Sequence, residues 1–150
     1  MLRITILFLG LLIASSAFGQ TLTIYRSTES VDKTVEKIVN EIQSNASLIY
    51  FETVYHDSIA NKRGMKLAPT RSILFEDPNL TTQLLSCRQT AALDLPLEII
   101  VWEELGDVYI GFIDPKFMTR RFMITDCNDV IQQLTRLMIK ISMNAIREMK

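Results

Sequence analysis

The chain has one histidine, two cysteines and no surplus of charge of either sign, with 16 Lys and Arg against 17 Asp and Glu in 150 residues. That balance removes the electrostatic ground for nucleic-acid binding, which needs a concentrated basic surface. A single histidine and two distant cysteines without a CxxC cannot supply the closely spaced ligands of a zinc site, so neither a metal nor a cofactor is expected. Only 5 Gly and 4 Pro are present, without a low-complexity tract, long charge run or repeat, which argues against a disordered chain. No GxGxxG, GxSxG, HExxH or P-loop occurs, so no common nucleotide or hydrolase signature is available. The methionines at 118 and 123, and at 138 and 143, are spaced off a single helical face. They read as core filler rather than as copper ligands.

What is present begins with an export pattern. Arg3 is the only charge before Arg26. The apolar run Ile4–Ile13 follows, and then the small-residue exit Ala14-Ser15-Ser16-Ala17-Phe18-Gly19. This is the layout of a secretory signal peptide over residues 1–19, cleaved before Gln20. The run is shorter than the roughly 20 apolar residues a bilayer span needs, so no stable membrane anchor is expected after cleavage. Residues 20–150 then form a single exported domain, periplasmic or extracellular, large enough for a real core. Export permits a Cys87–Cys127 disulfide. Two small buried apolar side chains remain the other reading of that pair.

Local signals alternate along the rest. Thr21–Arg26 is β-prone, and Ser30 can cap a helix whose stripe is Val31, Val35, Ile38, Val39 and Ile42. Ser47–His56 reads as a strand, and Asp57 or Ser58 can cap a short helix, Ile59–Arg63, ended by Gly64. Arg71–Glu76 is another strand, and Asp77-Pro78 starts a helix to Cys87. A loop through Asp94-Leu95-Pro96 leads to a hairpin, Leu97–Glu104 and Val108–Ile113, around Leu105-Gly106-Asp107. Asp114-Pro115 opens a short helix toward Arg121. The longest helix, Asn128–Met149, is capped by Asp126 or Asn128, and Ile139, Met143 and Ile146 widen its apolar stripe. So wide a stripe is either sandwiched within the fold or covered by a second chain. Strands and helices mix without a βαβ rhythm, which predicts an α+β class: a mostly antiparallel sheet with helices packed on it, plus the long C-terminal helix.

In this order the signals resemble the DUF302 family. Ser30-Val31-Asp32-Lys33-Thr34-Val35-Glu36 resembles its opening helix. His56 follows a strand at the place of the family's histidine, and Ala60, Leu67, Pro69 and Thr70 come next. Asp77-Pro78 stands where the family often has Gly-Asn-Pro, and Leu93-Asp94-Leu95-Pro96 resembles its Leu-Pro element. The hairpin ends in Asp114-Pro115. The likeness covers about residues 28–124 and departs at Glu76, where Gly is usual. It implies an α+β domain that tends to dimerise, and it implies no activity.

The candidate site is His56, Arg71 and Asp114, a polar set that the resemblance draws together for a small anionic ligand. Asp77 and Asp114 each precede a proline, as helix caps do, which is a plainer reading than a hydrolase carboxylate pair. A lone His is more often a hydrogen-bonded structural residue than a ligand. The expected function is therefore a ligand-binding or protein-interaction module, homodimeric through an apolar surface that includes the C-terminal helix. The alternative is an enzyme using His56 as general acid or base.

Overall fold

The Ser30 hydroxyl accepts from the Lys33 N–H at 3.4 Å and opens α1, Val31–Ser44. This computed structural model describes residues 22–147, so the signal peptide expected at residues 1–19 lies outside the described residues. Val31, Thr34, Val35, Ile38 and Ile42 share the buried face of α1, and the last two are fully inaccessible. Burying a side chain of that size stabilises by about 1.5–3 kcal/mol. Truncating Ile38 to Ala would cost about 2–5 kcal/mol, because the cavity adds to the lost transfer energy. Near this helix start, the Glu29 carboxyl is held below the usual carboxylate range, chiefly by a hydrogen bond from Lys37 and then by the charges of Lys37 and Lys33.

Five strands pair antiparallel throughout, in the order β1-β5-β4-β3-β2. They are β1 Leu22–Ser27, β2 Ile49–Tyr55, β3 Thr70–Glu76, β4 Leu97–Glu104 and β5 Asp107–Ile113. The β4–β5 hairpin closes on Leu105 (φ 53°) and Gly106 (φ 86°). Positive φ at both turn residues matches the twist of the flanking strands. Alternation along the strands sends Ile73, Phe75, Leu97, Ile99, Val101, Val108, Ile110 and Phe112 to one face. There they meet α1 and α5, Asn128–Ile146. The fold is α+β, as the mixed signals predict.

The local differences have physical causes. His56 is not the end of a strand but the first residue of α2, His56–Asn61, and neither Asp57 nor Ser58 caps it. Asp57 is instead drawn to Arg71. Gln89–Asp94 winds into a 3₁₀ turn rather than a plain loop. Asp77 caps α3, Pro78–Cys87, by accepting from the Asn79 and Leu80 N–H groups. At the start of α5 the cap position belongs to Cys127, with no side-chain cap from Asp126 or Asn128. Cys127 is held there by a disulfide to Cys87, the last residue of α3, with Cα atoms 6.4 Å apart.

α5 packs against α1, α3, α4 (Lys116–Arg121) and β1. Most of its wide stripe is therefore covered within the chain. Met143 and Ile146 are half-buried and Ile139 is 38% exposed.

Candidate functional site

The three candidate residues do not form one cluster. Arg71 and Asp114 lie apart, because Arg71 on β3 is level with Val101 and with Ile110 in the middle of β5, whereas Asp114 comes four residues further along, past the last residue of β5. His56 and Arg71 are close in sequence but serve opposite faces.

Arg71 begins the core face of β3 and is 7% exposed. Its Nη1 pairs with Asp57 and also reaches the Thr70 carbonyl, at 3.3 Å. Its Nη2 reaches Asp32 on α1 at 3.3 Å, and its guanidinium lies over the Tyr55 ring, 4.6 Å from the centroid. Two carboxylates thus already compensate the cation that an anionic ligand would need. The guanidinium ties α1, α2 and the β2–β3 edge together, as a forked donor suits. A shallow groove beside it is lined by Asp32, Glu36, Tyr50, Thr53, Tyr55 and Ser58, with more acid than base.

His56 Nε2 lies 2.9 Å from Ser72 Oγ. Ser72 points to the sheet face away from α1 and α5, and at 5% exposure it is nearly closed to solvent. The pair pins α2 over that face. A buried hydroxyl without a reachable substrate position is a poor nucleophile, and His56 lines neither groove nor cleft. Ser72 carried no distinct signal, since it follows Thr70 and Arg71 at the polar start of the strand.

Asp114 acts as a cap and a tie. Its Oδ1 accepts from the Lys116 N–H and from Thr135 Oγ1, both at 2.9 Å, which joins α4 to α5. It also borders a cleft of about 460 Å3 where β4 begins and β5 ends. Leu22, Leu74, Ile100 and Ile113 form its sheet-side wall, Leu93–Leu97 one flank, and Met118 and Met138 its depth. Among the described residues, Asp94, Glu98 and Asp114 are the only charged ones in the lining, and Asp94 is held by Arg121 at 2.8 Å. The cleft opens on a sheet face that no long helix among the described residues covers, where Leu22, Ile24 and Ile113 are 36%, 45% and 59% exposed. On the same face the Trp102 and Tyr109 rings stack across β4 and β5, with centroids 5.4 Å apart. Trp102 folds over Gly111, where any Cβ would come within 2.9 Å of the indole. Nothing in the local sequence pattern announces this cleft, since its walls come from six separate segments. Among the described residues, no group of three His, Cys, Asp or Glu is placed to hold a metal ion.

The family model described as "Domain of unknown function DUF302" matches residues 23–141. The chain belongs to the DUF302 family. The fold of this DUF302 domain is also that of an uncharacterized conserved DUF302 protein from Bacillus stearothermophilus, known from a crystal structure. The two agree with a TM-score of 0.77 at 12% identity, over 85% of this chain and 99% of that one. Among curated proteins, the chain is similar to the "Fluoride-specific ion channel FluC 1" of Brucella suis biovar 1 (strain 1330). The two are 30% identical over 117 residues, 77% of this chain and 46% of that protein. The FluC 1 of Brucella abortus biovar 1 (strain 9-941) matches at 30% over 77% of this chain and 43% of its own length. The chain thus spans less than half the length of these relatives. Among the described residues, no helix is long and apolar enough to cross a membrane.

Proposed function

We propose that this DUF302 domain is an exported binding module whose cleft takes a small apolar molecule with a neutral or positively charged end. One observation carries this: a 460 Å3 apolar cleft whose lining, among the described residues, holds carboxylates and no cation. That volume is within the roughly 300–1,000 Å3 range of small-molecule sites, and apolar walls with a few placed polar groups are their usual make-up. The lining disfavours an anionic ligand, and Arg71, the cation expected to meet one, lies outside the cleft, paired with Asp57 and Asp32. The exported setting is supported by the pattern of residues 1–19 and accords with the Cys87–Cys127 bond, since disulfides persist in oxidising compartments. The enzyme alternative rests on His56 and Ser72, and the seclusion of that hydroxyl ranks it lower.

The test uses Trp102, the only tryptophan, as reporter, because it lies over Gly111 at the edge of the cleft. Titration with a long-chain alkylammonium should change its emission saturably, while the matching fatty carboxylate binds at least roughly tenfold more weakly, given like-charge repulsion in the lining. Leu74→Phe with Ile113→Phe should fill the cleft and abolish the response to ligand while Trp102 stays the only reporter. Equal binding of both amphiphiles, or binding unaffected by this double variant, would overturn the assignment.

A second copy of the chain over the uncovered sheet face is the other reading with an observation of its own, the exposure of Ile24 and Ile113. Sedimentation should then show a dimer that Ile24→Glu with Ile113→Glu dissociates. A monomer at every concentration refutes it.

A further inference from the structure

The segment between α2 and β3 takes no part in the cleft or the Arg71 cluster. Residues 61–68 are all exposed. Their charge departs from the even balance of the chain, because Lys62, Arg63 and Lys66 stand there without an acidic residue. Among the described residues none of the three has an ion-pair partner. Interleaved with them are large apolar side chains held in water: Ile59 at 48%, Met65 at 56% and Leu67 at 48% exposure.

The turn that presents them is fixed. The Met65 N–H donates to the Ala60 carbonyl at 3.0 Å, and the Gly64 N–H to the Asn61 carbonyl at 3.0 Å. With Gly64 at φ 74°, this is the paired hydrogen-bond pattern of a Schellman helix end. Such an end commonly buries the apolar residue after the glycine against the last helical turn. Here Met65 stays more exposed than buried, and its neighbour on that turn, Ile59, is exposed over close to half its surface. At the far side the Pro69 carbonyl accepts from the Glu103 N–H at 3.0 Å, which anchors the segment to β4 beside Trp102. Single exposed apolar residues are ordinary on a protein surface. Three of them alternating with three unpaired cations on a pinned turn are the composition of an interfacial membrane contact. There the cations meet anionic headgroups while the apolar tips reach the acyl boundary.

We infer that the Ile59–Leu67 projection docks reversibly on an anionic lipid bilayer surface. An acidic protein would satisfy the cations but would leave the apolar tips without a purpose, so the bilayer accounts for more of what is present. Each basic residue near an anionic surface strengthens binding by about fivefold, so three cations amount to about a hundredfold. The contact is peripheral, and it is independent of the cleft.

The experiment is flotation of the full chain with vesicles of phosphatidylcholine alone and with about a third phosphatidylglycerol, at low and high salt. Wild type should favour the anionic vesicles by about a hundredfold, and salt should weaken the association. Lys62→Glu with Arg63→Glu and Lys66→Glu should remove the preference. Met65→Ser with Leu67→Ser should weaken binding by about tenfold at unchanged charge. Both variants should keep the wild-type denaturation midpoint, since the altered side chains are exposed. Any affinity of the apolar run Ile4–Ile13 is common to wild type and variants, so differences between them report the projection alone. Charge-reversed protein that still prefers anionic vesicles would overturn the inference. So would apolar-depleted protein that binds as wild type does, with soluble polyglutamate displacing it from vesicles, because that pattern belongs to an acidic protein partner.

Discussion

Breaking the Cys87–Cys127 bond is expected to cost most of the stability that a domain of this size has to spare. The bridge closes a separation of 40 residues, from the last residue of α3 to the cap of α5. The loss of loop entropy from the unfolded chain corresponds to about 4 kcal/mol for a loop of that length. The folded side of the balance changes little, because Leu84 on α3 and Leu134 on α5 are fully buried and keep the two helices in the core without the bond. Arg88 gives further local support by donating from Nη2 to the Met123 carbonyl at 3.0 Å. The effect should therefore act mainly through the unfolded state. Cys87→Ala with Cys127→Ala, and wild type under a thiol reductant, should both unfold in urea at a midpoint lower by about 2 M for a domain of this size. The thermal midpoint should fall by about 12–20 °C. Circular dichroism before the transition should match that of the oxidised protein. Oxidised and reduced protein with midpoints equivalent to less than about 0.5 kcal/mol apart would refute the reasoning. So would a double variant far less stable than the reduced wild type, since that would place the loss in native packing.

Four further outcomes follow from named contacts. Arg71→Met should destabilise by about 2–4 kcal/mol, because the Asp57 carboxylate, with its side chain 15% exposed, loses its cation. Asp57→Asn added to Arg71→Met should restore part of the loss in urea titrations. His56→Ala should cost about 1–2 kcal/mol by leaving the Ser72 hydroxyl buried without its partner, and Ser72→Ala in the same chain should recover much of it. Leu105→Asn should raise the thermal midpoint, gaining about 0.5–1 kcal/mol, because Leu105 is fully exposed at φ 53°, where asparagine is far better tolerated. Glu29→Gln should lower stability only where the wild-type carboxylate is ionised. Since the folded pKa is lowered, the difference between the two proteins is present above the usual carboxylate range and closes as pH falls through the lowered value, as paired pH titrations of stability would show.

The elements were legible in the sequence where one local rule acted alone. Ser30 and Asp77 cap α1 and α3 because an N-cap requires only the few residues that follow it. The hairpin closes at Leu105-Gly106 because a two-residue turn sets its own register. Legibility failed where a distant group competed. Asp57 has the chemistry of a cap, yet Arg71 on β3 holds it, and α2 starts uncapped at His56, three residues before the expected Ile59. Asp126 and Asn128 could each cap α5, yet the bond to Cys87 sets Cys127 at that position. Both outcomes depend on contacts between segments far apart in the chain, which no window of sequence contains.

The same distinction separates the expected site from the one the fold offers. His56, Arg71 and Asp114 are each the kind of residue that does chemistry, and residue type is what a sequence displays most openly. Position in the sheet then divides them. Arg71 falls on the core face of β3, His56 reaches Ser72 on the other face, and Asp114 lies past the far end of β5. Each finds a structural partner where it stands, and a polar group satisfied by its own fold has less to offer a ligand. The cleft, by contrast, is built from leucines, isoleucines and methionines that would individually be assigned to the core. It exists because α1 and α5 both pack on one face of the sheet, leaving Leu22, Leu74, Ile100 and Ile113 on a face that no long helix among the described residues covers. Candidate function in this DUF302 domain therefore follows from which surface the fold leaves uncovered, more than from which residues could ionise.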